Sequence, residues 1–193
     1  LVFWDTEIYM LPFYVHTDPA AARALLMYRY RFLDDARANA KSMGKRGAFY
    51  PWNSSITGRA AHWTGWQEHV GSDVAYGVDW YVRATGDREF FLRYGAELII
   101  ETARYWQDRV EFDAGKGQYV IRGLMGPDEI HGGIHNNTFT NQLVKWHLRR
   151  ACLVVEELRQ AGAWDKLCER LGMAGDDVAK WRDISERMYI NFN

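Results

Sequence analysis

Three short stretches of this chain set acids, amides and imidazoles beside large aromatic rings, outside any helical periodicity. They are Phe3-Trp4-Asp5-Thr6-Glu7, Tyr50-Pro51-Trp52-Asn53-Ser54-Ser55, and the run from Gly126-Pro127-Asp128-Glu129 through His131, Gly132-Gly133 and His135 to Asn136-Asn137. An aromatic face with polar groups at its rim suits a pyranose ring, whose faces are weakly apolar and whose hydroxyls point outward. Breaking a glycosidic bond needs a proton for the leaving oxygen. A carboxylic acid supplies it near neutral pH when a dry setting lifts its pKa from ~4.3 towards ~6–7. Glu129 is the candidate acid. Gly126-Pro127 fixes a sharp turn ahead of it, and the charge of Asp128 would raise its pKa further if the two carboxylates face one another.

Plainer readings stand beside this one. Asp5 or Thr6 is a natural helix cap, Asp128-Glu129 a solvated turn, and Asn136-Asn137-Thr138 a helix start. His131 and His135 are four apart, a metal-binding spacing on a helix, but Gly132-Gly133 opposes a helix and no metal site is expected. No phosphate-cradling glycine loop is present, and no Ser-His-Asp grouping stands out. Cys152 and Cys168 fall on helices as thiols, and Trp106, Trp146 and Trp181 lie in apolar helical stripes.

The elements that must position these groups are helical. Residues 5–16 read as a short helix that Pro12 kinks or ends. Asp18-Pro19 caps a second helix to about residue 31, and a third runs from Asp34 or Asp35 to Lys41, stopping near Gly44. A long aromatic loop follows over 44–66. Helices are expected over 67–85, 88–109, 138–161, 164–171 and 176–189, with one small β-hairpin near 110–121. Helical hairpins with long loops between pairs give an all-α architecture. Arranged in a ring, their loops at one end would bring the three stretches together.

Composition narrows the function. The 193 residues carry 24 Lys+Arg against 25 Asp+Glu, a net charge of -1, which excludes nucleic-acid binding by bulk charge. No run of about 18 apolar residues is present, so no membrane span is expected. The 9 Trp, 11 Tyr and 9 Phe fit a stacking site without choosing its ligand. The opening Leu1-Val2-Phe3-Trp4 reads as the start of an excised piece of a longer protein.

At the three stretches the sequence resembles glycoside hydrolase family 65, the maltose, trehalose, kojibiose and nigerose phosphorylases. The matching text is Phe-Trp-Asp-Thr-Glu at 3–7, Met-Leu-Pro at 10–12, Leu-Leu-Met-Tyr-Arg-Tyr at 25–30, Gly-Ala-Phe-Tyr-Pro-Trp at 47–52, Asp73-Val74-Ala75-Tyr76, Gly-Pro-Asp-Glu at 126–129, and Asn136-Asn137. The resemblance implies an (α/α)6 barrel, of which residues 1–193 would supply roughly half as a partial catalytic domain. It implies Glu129 as general acid and Trp4 with Asp5 as the holders of the non-reducing glucose. Trp52 and the loop after Glu129 would shape the acceptor side. The partners implied are an α-glucoside and inorganic phosphate as co-substrate, with no other cofactor. Phosphate would attack the anomeric carbon with inversion, giving β-glucose 1-phosphate. A homo-oligomer in the cytoplasm is expected.

Departures from the family pattern cluster on the acceptor side. Asn53 stands where many members have Glu, Ser72 where many have Thr, and Ile130, His131, Gly132-Gly133 and His135 replace the usual text after the acid. An α-glucoside hydrolase using water, and a non-catalytic carbohydrate-binding helical domain, are the alternatives.

Overall fold

The computed structural model describes residues 2–55 and 67–192. The end of the expected long loop, 56–66, lies outside the described residues. The chain starts with strand β1 (Val2–Phe3) and a π-helical turn, Thr6–Met10, which runs into helix α1 (Leu11–Thr17). Pro12 neither kinks nor ends this helix. It sits in the first turn of α1, and the Leu11 N–H bonds the carbonyl of Thr6, five residues back. The widened turn gives room where the proline ring would press on the carbonyl four residues earlier.

Asp18 caps α2 (Pro19–Arg31) by accepting from the Ala21 N–H at 3.1 Å, and α3 (Leu33–Ser42) follows. Strand β2 (Asn53–Ser54), which has no signal in the sequence, pairs antiparallel with β1, Val2 opposite Ser54 and Phe3 opposite Asn53. Helix α4 spans Val70–Thr85 and ends at Gly86. The expected single helix over 88–109 is instead α5 (Arg88–Phe90), a π-helical turn Phe91–Gly95, and α6 (Ala96–Arg109). The wide turn lets the consecutive rings of Phe90 and Phe91 both be buried. A Cβ on Gly95 would stand 2.9 Å from Val78, so glycine is what lets this turn lie against α4. The hairpin of β3 (Glu111–Asp113) and β4 (Gln118–Val120) is where the turn glycines predict it. Helix α7 (Thr138–Gln160), capped by Asn137, precedes α8 (Trp164–Leu171) and α9 (Asp177–Arg187).

Helices α1, α4 and α7 form one row, because α4 packs on both of the others; α2, α6 and α9 stand behind it. Contacts along α4 and α7 advance from His69–Phe139 through Tyr76–Trp146 to Asp79–Arg150, so these two helices run in the same direction. Helix α6 runs against α4, with Thr102 at Gly71 and Gly95 at Val78. Leu26, Val74, Val78, Leu98, Ile99, Val144, Leu148 and Trp181 fill the space between rows and are wholly buried. Each such side chain contributes about 1.5–3 kcal/mol. The other side of the first row stays open: Tyr9 and Phe13 are each 62% exposed and Leu153 51%. Among the described residues no helix is long and apolar enough to cross a membrane.

Candidate active site

Helices α4 and α7 start at the same end, where Trp4 of the first stretch meets His69 and Phe139. The β1–β2 ribbon ties Phe3 to Asn53, with the Trp52 ring 5.8 Å from that of Phe3. The Gln67 amide reaches the Gly126 carbonyl at 3.5 Å, and Phe139 at the head of α7 lies 6.3 Å from Trp4.

Asp5 is not a cap. Its backbone is already helical and its carboxylate makes no capping bond, while the carbonyl of Trp4 takes the first helical N–H groups, from Glu7 and Ile8. The half-buried carboxylate is left available. Trp4 is 8% exposed, and its ring sits among Tyr9 (5.3 Å), His69 (5.1 Å) and Phe139. The indole nitrogens of Trp4 and Trp52 are buried without a hydrogen-bond partner.

Beneath this turn lies a buried ionic chain. Arg29 grips both oxygens of Glu7 at 2.7 and 2.9 Å, and both side chains are fully buried. Glu7 holds the Arg29 guanidinium in its charged form against the cost of burial. Arg29 also reaches the Phe3 carbonyl, and the Tyr50 hydroxyl donates to the Arg29 carbonyl, so the pair pins β1 and the aromatic loop. Next to it Asp73 bonds His69 Nδ1 at 2.6 Å. Burial pushes the Asp73 carboxyl up, and the neighbouring His69 and Arg29 oppose that.

Glu129 departs from the dry setting expected of it. It is exposed, at the corner of a turn in which its N–H meets the Gly126 carbonyl, with φ of 60°. Asp128 does not face it; that carboxylate binds His131 Nδ1 at 2.6 Å, and the imidazole holds it below the usual range. His131 and His135 are both exposed, and His135 Nδ1 accepts from the Gly123 N–H. Among the described residues no group of acids, histidines and cysteines is arranged to hold a metal.

Two expected ligand-side residues are buried instead. Asn53 is 3% exposed within β2. Ser72 is a core residue: its hydroxyl accepts from Trp106 Nε1 at 2.8 Å and donates to His147 Nδ1 at 3.0 Å, while His147 Nε2 donates to the Ile99 carbonyl. It lies on the side of α4 that meets α6 and α7, so it touches no open surface. The sequence reading also missed His69 as a member of the site. The signal was present in the four-residue spacing to Asp73, which puts both on one helix face. A cavity of about 630 Å³ between Asp79, Arg83, Trp146, Arg150 and Leu153 lies further along α4 and α7, away from these helix starts.

A two-row helical scaffold that gathers aromatic rings, a carboxylate and an imidazole at one end has the make-up of a small-molecule site. The model of the glycosyl hydrolase family 65 central catalytic domain matches residues 1–193. A kojibiose phosphorylase from Caldanaerobacter subterraneus subsp. tengcongensis is 39% identical over 100% of this chain and 27% of its own length. An alpha,alpha-trehalose phosphorylase from Geobacillus stearothermophilus is 40% identical over 99% of the chain and 26% of its own. A 1,2-alpha-glucosylglycerol phosphorylase from Bacillus selenitireducens is 35% identical over 97% and 27%. A solved structure from the human microbiome, provisionally assigned as a kojibiose phosphorylase, superposes with a TM-score of 0.90 at 29% identity, covering 100% of this chain and 26% of that one. The chain belongs to glycosyl hydrolase family 65, and its helices form part of the family's (α/α)6 barrel. It spans about a quarter of the length of the curated relatives it matches.

Proposed function

We propose that this chain is part of the catalytic domain of an inverting α-glucoside phosphorylase. The observation that carries the reading is the full-length match to phosphorylases named for three different substrates, kojibiose, trehalose and glucosylglycerol. What those names share is a glucosyl group, which supports an α-glucoside as the substrate class. Trp4 and Asp5 hold the non-reducing glucose, with the indole as wall and the free carboxylate as hydroxyl acceptor. Glu129 gives its proton to the departing glycosidic oxygen. Inorganic phosphate attacks the anomeric carbon from the opposite face, and β-glucose 1-phosphate leaves.

The nucleophile is already anionic, so one acid suffices; a hydrolase would need a second carboxylate about 6.5–9.5 Å away to activate water. The exposure of Glu129 is compatible with this role when substrate and the remainder of the enzyme close over it, because catalytic geometry tightens in the loaded complex. Trp52, His131 and His135 border the acceptor side. The exposed His131–Asp128 pair there is a candidate for choosing the leaving sugar.

Two measurements on the full-length enzyme test the reading. Glu129→Gln abolishes cleavage of unactivated disaccharides, and near-wild-type turnover overturns the assignment. Product formation requires phosphate; free glucose released in phosphate-free buffer makes the enzyme a hydrolase instead.

A further inference from the structure

The indole of Trp4 has no hydrogen bond to fix it, because Nε1 is buried and unpartnered. Its plane is therefore set by the rings that touch it. Tyr9 is one of them, but it is 62% exposed and carries little restraint. His69 is wholly buried, with its ring at 88° to the indole, and Phe139 stands 6.3 Å from the indole and at 90° to the imidazole. His69 is in turn held by Asp73 one helical turn on, through a 2.6 Å bond between two fully buried side chains. Asp73 stands on α4, which is packed on both sides by α1 and α7. The other ring nitrogen, Nε2, is buried and has no partner. A buried unpaired imidazole nitrogen carries a desolvation penalty, so the ring sits here against a cost.

We propose that His69 is the positioning residue for Trp4. Asp73 fixes the imidazole, and the imidazole fixes the plane of the indole before any sugar arrives. This rests on the reading that Trp4 and Asp5 hold glucose, and it adds a residue that makes no contact with the sugar. The gain is pre-organisation: an indole already held in place does not have to be ordered when the ring binds. Neither Tyr9 nor the half-exposed rim of Phe139 could do this alone.

The test labels the full-length enzyme with 5-fluorotryptophan and identifies the Trp4 resonance by its loss in Trp4→Phe. In the sugar-free wild type this resonance is expected to be narrow; one broadened by exchange overturns the proposal with no variant needed. His69→Asn keeps an amide N–H for Asp73 but removes the ring. It is expected to shift or broaden the Trp4 resonance and to raise KM for the glucoside about tenfold with kcat changed much less. His69→Phe, which keeps the ring, is expected to restore the resonance more fully than His69→Asn does. An unchanged resonance in His69→Asn overturns the proposal. So does a raised KM in Trp4→Ala with an unmoved KM in His69→Asn. If the resonance moves in His69→Asn but Trp4→Ala leaves KM unmoved, the positioning stands and the glucose reading of Trp4 fails.

Discussion

Glu129 combines two properties that one pair of substitutions can separate. Its backbone is left-handed, with φ of 60°, and its side chain is exposed and not held by any neighbouring carboxylate. A left-handed conformation costs a non-glycine residue about 1–2 kcal/mol. Glycine avoids that cost but loses about 0.5–1 kcal/mol more backbone entropy on folding. Glu129→Gly should therefore be more stable than Glu129→Gln by about 0.5–1 kcal/mol, which for a domain of this size is about 1–4 °C in Tm. Both variants lack the proton donor, so both should be inactive in the full-length enzyme. Urea or thermal unfolding of the two variants, with turnover of an unactivated disaccharide, reads both halves. A glycine variant no more stable than the glutamine variant refutes the strain argument. Turnover in either variant near the wild-type rate refutes the acid. Stability sacrificed at the one residue proposed for the chemistry is the pattern expected of a site kept for function.

Three further outcomes are expected. Arg29→Met strands the Glu7 carboxylate in the core and should cost about 3–5 kcal/mol by denaturant unfolding, whereas Glu7→Leu with Arg29→Met together should cost much less. His147 is wholly buried, and burial lowers its pKa to about 4 from an ordinary 6.5. Below pH 6.5 the unfolded chain takes up a proton that the native imidazole refuses. Stability attributable to this residue is thus intact above pH 6.5 and falls by about 3 kcal/mol as pH drops to about 4. His147→Asn should flatten that part of the stability–pH curve. Gly47→Ala should disrupt the aromatic loop, since φ there is 74° and a Cβ would stand 2.2 Å from the Glu101 carbonyl oxygen. Loss of more than about 2 kcal/mol in unfolding experiments is expected, and a neutral result would mean the loop shifts freely.

The sequence by itself determined most of the helices, the caps at Asp18 and Asn137, the hairpin at 111–120 and the family, because each rests on local spacing or on text read along the chain. It also marked the first two stretches, which the β1–β2 ribbon joins. Tertiary structure decided the rest. Ser72 and Asp5 look alike on paper, each a polar residue near a helix start. Packing against Trp106 and His147 buries Ser72, while a helix that begins at Trp4 leaves the carboxylate of Asp5 free. The β1–β2 ribbon and the Trp4–His69–Phe139 cluster join residues about 50 to 135 positions apart. No periodicity records such a contact, because side-chain period reports which face of an element is apolar and not which distant element covers it.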